Sequence, residues 1–188
     1  ELSPIIASLT NTKLAQNVFF KQFLNRSQIR IRYAFLSADR VRGIPADKIL
    51  IDEIQDIMAQ NIPVIEQCAS HSPWKIYRYS GTPKSMDNTI QIYWDQYSTQ
   101  NEWAVPCDRH SPRHWNILGE KNIGRKGLIC ARCGKKIDPR HPDCTWVAMQ
   151  PKTVNNEQRV TFEGFRIPQL MVPWIVEDEE AWNDQIIF

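Results

Sequence analysis

The chain has 188 residues, of which 23 are Lys or Arg and 21 are Asp or Glu, a formal net charge of +2. That length suits one medium domain, or a domain plus a small module, and the near-neutral balance excludes a polycation driven to nucleic acid by net charge alone. No apolar run is long enough to span a membrane, so no membrane partner is expected.

No secretory signal opens the chain, and a start at Glu1 rather than Met suggests a processed chain or a fragment. The five cysteines, Cys68, Cys107, Cys130, Cys133 and Cys144, are odd in number and unevenly spaced. They argue against a secreted disulfide framework and for a metal site in a reducing compartment.

In chain order, residues 12–24 read as a helix that Val18, Phe19 and Phe20 help to bury. Asn25-Arg26-Ser27 marks a turn. Ile29, Ile31 and Tyr33 then alternate with Arg30 and Arg32, which predicts a strand with one apolar and one basic face. Arg40 and Arg42 lie in a loop punctuated by Gly43 and Pro45.

The central stretch is Lys48-Ile49-Leu50-Ile51-Asp52-Glu53-Ile54-Gln55-Asp56. Its short apolar run predicts a strand buried on both faces, as in parallel sheets. Ligands of open α/β sheets bind at the carboxyl ends of strands, which is where Asp52 and Glu53 emerge. Two adjacent carboxylates there have the form of a Walker B element, with Asp52 beside a nucleotide-bound metal. The competing reading is a core strand followed by an acidic helix start.

Ile54, Ile57, Met58, Ile62 and Ile65 are spaced roughly as in a helix, with a break or a second helix start at Pro63. Residues 74–79 predict a second strand, ending at Ser80-Gly81-Thr82-Pro83. Glycine permits close backbone approach there, and the hydroxyls can sense a phosphate or reach Glu53. Residues 89–103 predict an amphipathic helix whose Ile90, Tyr93, Trp94 and Tyr97 face a core.

Cys107-Asp-Arg-His110 and Cys130-Ala-Arg-Cys133 have the ligand types and short spacing of a tetrahedral zinc site. Four such ligands leave no open position for water, so the role expected is structural. His114, His141 and Cys144 are alternative ligands, His114 being the best substitute for His110. Arg109, Arg113, Lys121, Arg125, Lys126, Arg132, Lys135 and Lys136 make this module basic, which suits either nucleic acid or solvent. Gly119-Glu-Lys-Asn-Ile-Gly124-Arg125-Lys126-Gly127 approaches a phosphate-binding loop. Its lysine is one place late and no apolar strand leads into it, so it is rejected. Asp178, Glu179 and Glu180 read as a solvated helix face.

Taken together, Phe23-Leu24-Asn25-Arg26-Ser27-Gln28-Ile29, residues 38–43, residues 49–54 and Ser80-Gly81-Thr82-Pro83 resemble the ATPase of a phage terminase large subunit. Val105-Pro106-Cys107 with Cys130 and Cys133 is similar to a zinc-binding insertion found in some members. Gly164-Phe165-Arg166-Ile167-Pro168-Gln169-Leu170 resembles the segment leading out of that ATPase. Two departures are Arg26, where the family often has glycine, and His110, where cysteine is common.

The resemblance implies an incomplete α/β P-loop NTPase of the RecA-like type. It assigns residues 1–103 to the C-terminal portion of the ATPase core, 104–150 to a zinc-ribbon insertion and 151–188 to the exit segment. The Walker A loop is expected before Glu1 and a nuclease similar to RNase H after Phe188. The implied activity is ATP-driven movement of double-stranded DNA into a procapsid. Asp52 would hold Mg²⁺-ATP, Glu53 would activate the attacking water, and Ser80, Gly81 and Thr82 would couple phosphate state to movement. Zn²⁺ would be structural, held by Cys107, His110, Cys130 and Cys133. The implied partners are double-stranded DNA, a portal protein, a small terminase subunit and further copies in a ring, in the cytoplasm of a host cell. Alternatives are a helicase-class ATPase and a non-catalytic zinc-ribbon module that binds nucleic acid.

Overall fold

A computed structural model describes residues 3–10, 16–154, 157, 158 and 160–187. The protein is of mixed α/β type with small sheets, and it divides into two units, Glu1–Gln91 and Ile92–Phe188.

In the first unit, α1 (Pro4–Leu9) begins on a proline, whose fixed φ suits a first helical turn. Strands β1 (Gln16–Asn17), β2 (Phe20–Gln22) and β3 (Gln28–Arg30) follow as an antiparallel meander. Residues 16–24 are therefore not the expected helix, and residues 12–15 lie outside the described ones. The cause is local. Asn17 Oδ1 accepts from the Phe19 backbone N–H at 2.8 Å, the kind of side-chain bond that favours turns over helix. A second turn forms at Asn25, whose Oδ1 accepts from the Ser27 backbone, with Arg26 in the left-handed region at φ 67°. The strand predicted over residues 28–33 stops at Arg30, and its apolar side chains are half exposed, Ile29 at 52% and Ile31 at 50%.

Strand β4 (Lys48–Ile51) pairs in parallel with β5 (Ile76–Tyr79), Ile51 opposite Tyr79. Ile49 and Ile51 are buried, but Leu50 is 76% exposed. Burial on both faces is thus corrected to burial on one: alternation turns Leu50 to the opposite face, which nothing among the described residues covers. Beyond Glu53, single 3-10 turns at Ile54–Asp56 and Ala59–Asn61 lead into α2 (Ile62–Glu66), with Pro63 in its first turn. Ile54, Ile62 and Ile65 are buried although no continuous helix spaces them. Helix α3 (Thr89–Tyr97) ends six residues before the predicted limit. Gln100 takes φ 50° and Asn101 starts a strand.

In the second unit, β6 (Asn101–Cys107) is the central strand of an antiparallel sheet, between β7 (His114–Ile117) and, on its other side, β10 (Thr145–Ala148). Between β7 and β10, β8 (Ile123–Gly124) and β9 (Gly127–Leu128) form a hairpin. The rejected phosphate-loop stretch is a 3-10 turn at Glu120–Asn122 followed by this hairpin. Two short helices, α4 (Pro173–Val176) and α5 (Glu179–Trp182), complete the unit. Asp178 caps α5 by accepting from the Ala181 N–H at 2.8 Å.

Val105, Leu118, Leu128, Cys130 and Ile137 share one core with Leu170, Val176 and Trp182. Trp182, 1% exposed, also donates its indole N–H to the Gly124 carbonyl at 3.0 Å, so its polar edge is satisfied as its rings are buried. This core lies directly beneath two of the cysteines, because Cys107 and Cys130 belong to it. No helix among the described residues is long and apolar enough to cross a membrane.

Candidate metal centre and a charged cleft

The metal-ligand candidates sit at the ends of paired strands. Cys107 is the last residue of β6 and lies opposite His114, the first of β7; the chain between them carries His110. The second pair lies in the turn after β9. There the Cys130 backbone N–H donates to the Lys135 carbonyl at 2.8 Å, and the Gly134 N–H to the Cys130 carbonyl at 2.9 Å. Gly134 takes φ +67°, a left-handed conformation glycine adopts without penalty.

These turns bring the ligand atoms of Cys107, His110, Cys130 and Cys133 within 4.8 Å of one another. Cys107 Sγ lies 3.9 Å from Cys133 Sγ, and Cys130 Sγ lies 3.5 Å from His110 Nε2. A tetrahedral zinc with ordinary Zn–S and Zn–N bonds sets these separations at about 3.8 and about 3.6 Å. The cluster could hold a metal ion, and its donors suit a structural zinc.

The thiol chemistry points the same way. Burial disfavours the Cys130 thiolate. Against it, the backbone N–H groups of Arg132 and Cys133, with His110 and Cys107, pull its pKa down to about 6. The Arg132 N–H reaches the sulfur at 3.4 Å. Cys107 is pushed up, first by burial and then, against a bond from the Arg109 backbone, by its cysteine neighbours. A divalent cation would remove that mutual repulsion, since ligation deprotonates thiols.

The alternative ligands are engaged elsewhere. His114 stands edge-on to His110, ring centroids 5.5 Å apart, outside the four-atom cluster. His141 Nδ1 accepts from the Asp143 backbone N–H at 3.1 Å, which leaves Nε2 to face Asp108 at 3.1 Å. Asp108 also takes Arg113 Nε at 2.7 Å, and Arg113 Nη1 reaches Asp143 at 2.5 Å. Cys144 lies with its sulfur 3.8 Å from the Asp138 carbonyl, and burial raises its pKa. His141 thus braces the first ligand loop through Asp108 and stands outside the four-residue cluster.

Asn116 and Asn122 were not singled out from the sequence, yet they join the two ligand loops. Asn116, 2% exposed, donates to the Val105 carbonyl at 3.1 Å. Its Oδ1 accepts from the Ala131 N–H at 2.9 Å, inside the Cys130–Cys133 turn, and from Asn122 Nδ2 at 3.2 Å. Asn122 Nδ2 also donates to the Ile129 carbonyl at 3.0 Å. No signal in the sequence pointed to this tie.

In the first unit, Asp52 and Glu53 lie just past β4, and Ser80, Gly81 and Thr82 just past β5. Ser80 Oγ donates to Asp52 Oδ1 at 2.8 Å. Glu53 takes φ 52°, an uncommon conformation for a residue with a side chain. Its carboxylate accepts from Gln55 Nε2, and Gln55 Oε1 accepts from the Thr82 N–H at 3.2 Å. Gln55, buried and absent from the sequence-based candidates, therefore connects Glu53 to the Thr82 backbone. Gly81 leaves room beside it: a Cβ there would lie 2.1 Å from Gln55 Oε1, so the amide would have to move. The hydroxyl that meets a carboxylate is that of Ser80, and it meets Asp52 rather than Glu53.

Asp52 and Glu53 line a cleft of about 870 Å³, along with Asp56, Arg26, Arg30 and Arg32. Asp56 is paired with Lys84 at 2.6 Å. Arg42 approaches Asp39 at 3.8 Å on an exposed surface, a contact of little energetic weight. Set against known protein families, curated proteins and solved structures, the chain matches none of them.

Proposed function

We propose that the chain is part of an ATP-hydrolysing motor of the terminase large-subunit type, which moves double-stranded DNA into a procapsid. The observation that carries this reading is the pairing at the carboxyl ends of two parallel strands, Asp52 with Ser80 and Glu53 through Gln55 with Thr82. Strand ends of this kind are where α/β sheets take nucleotides. A cleft lined by both acids and arginines offers groups for both Mg²⁺ and phosphate.

In this reading, Asp52 holds the Mg²⁺ of ATP directly or through water, and Glu53 orients and deprotonates the attacking water. Ser80, Gly81 and Thr82 sense the phosphate through the two carboxylates. Cys107, His110, Cys130 and Cys133 hold a structural Zn²⁺ that fixes the second unit. The 188 residues contain no G-x-x-x-x-G-K-[ST] loop, so the β- and γ-phosphates are cradled by groups from elsewhere. Portal protein, a small terminase subunit and neighbouring copies in a ring are the proposed partners, in the cytoplasm of a host cell.

The test uses the ATPase-competent protein that includes this segment. Glu53→Gln retains ATP binding and lowers turnover by at least about 100-fold, the usual range for loss of a general base. Turnover within a few-fold of the parent would remove Glu53 from the base role.

A further inference from the structure

We propose that the metal-held tip of the second unit is a nucleic-acid backbone contact, made by Arg109, Arg132, Lys135 and Lys136. The inference stands on the tip alone and does not rest on the ATPase reading.

Arg109 sits between the ligands Cys107 and His110, Arg132 is adjacent to Cys133, and Lys135 and Lys136 follow within three residues. Because the four ligand atoms lie within 4.8 Å, the backbones bearing these cations converge on one point. All four are exposed, and none has an ion-pair partner among the described residues. Several other cations of the unit are paired, Arg113 with Asp108 and Asp143, Lys126 with Glu179, Arg140 with Glu177 and Arg166 with Glu102, while Lys121 and Arg125, outside the tip, are also exposed with no ion pair among the described residues. The acid inside the tip, Asp108, is already engaged by Arg113 and His141. What remains is a concentrated positive charge on turns whose backbone is fixed by hydrogen bonds.

The surroundings select the kind of polyanion. Protein interfaces are anchored by buried aromatic and apolar side chains. Large exposed hydrophobics occur at Trp115, Ile117 and Val147, but none lies within residues 108–113 or 131–136. The tip instead offers Ser111, Pro112, Ala131 and Gly134 between its cations. Small residues allow close approach, and Arg and Lys meet phosphates without reading sequence, as in contacts that position a duplex. The partner is therefore the phosphate backbone of nucleic acid.

The experiment is a salt titration of the whole chain against a fluorescein-labelled 30-bp DNA duplex, read by anisotropy. Each phosphate contact adds about 0.9 to the slope of log affinity against log salt. The variant R109A/R132A/K135A/K136A should lose at least about tenfold in affinity and lower that slope by about 3.6. R109K/R132K should keep the slope, and K75A/R78A, in the first unit, should bind as the parent does. Matching metal content and melting temperature separate lost contact from lost folding. The proposal is overturned by a parent chain that does not bind the duplex, or by a quadruple variant with an unchanged slope. It is equally overturned if an acidic polypeptide competes as well as unlabelled duplex, which would assign the tip to a protein partner.

Discussion

Gly81 shows how one residue type sets the geometry around Glu53. Its missing side chain leaves room for Gln55 Oε1 to reach the Thr82 N–H, and that bond in turn places Nε2 on Glu53. Gly81→Ala pushes a methyl into the amide oxygen and should destabilise the first unit by about 1 to 3 kcal/mol. The double variant Gly81→Ala/Gln55→Ala removes the clash, so its loss should be smaller than the sum of the two single losses. Additive losses in urea unfolding would show that the two residues do not meet. The sequence made Gly81 visible as a turn residue. It did not reveal Gln55, because a glutamine two residues after a carboxylate pair has no signature until β4 and β5 are placed side by side.

At the scale of elements, legibility followed the length of range of the cause. The parallel pair of β4 and β5 was readable, since its β-branched and aromatic residues lie between clear turn signals. Residues 16–24 misled because Val18-Phe19-Phe20 is apolar without a period, and the deciding contact is the short bond from Asn17 to the Phe19 backbone. Leu50 misled for a different reason: an unbroken Ile-Leu-Ile run hides which face is covered. The helix ending at Tyr97 was overextended because the left-handed Gln100 and the strand at Asn101 are set by pairing with β10, which lies more than forty residues on.

The ligand loops were legible as ligands, but their mutual fastening was not. Asn116 lies on β7 and reaches both β6 and the Cys130–Cys133 turn, so it joins elements that the sequence only lists in succession. Asn116→Ala leaves the Val105 carbonyl, the Ala131 N–H and Asn122 each short of a partner. Buried groups left unsatisfied cost about 1 to 3 kcal/mol, and we expect a loss in that range with weaker metal retention. A variant as stable as the parent in thermal melts would remove this tie from the account.

For the molecule as a whole, the two units present different chemistry on different supports. The first places carboxylates at the ends of parallel strands, on a scaffold whose outer sheet face exposes Leu50. The second builds one core from sheet, hairpin and short helices, and Cys107 and Cys130 are members of that core as well as ligand candidates. An ion bound there would couple metal binding to folding of this unit, since it would stabilise the folded state by its own binding free energy. The proposed nucleic-acid tip would be firmed by such an ion, because its cations hang on the loops that carry the four ligand candidates.

The most direct measurement is metal content with its effect on folding. Protein prepared without chelator should carry one zinc per chain by elemental analysis. Cys130→Ser should lose it, and chelation of the parent should lower the melting temperature and alter the fluorescence of Trp103 and Trp182, which lie in or against the shared core. A chain that retains full stability and an unchanged spectrum with no metal bound would contradict the claim that Cys107, His110, Cys130 and Cys133 form a structural metal centre.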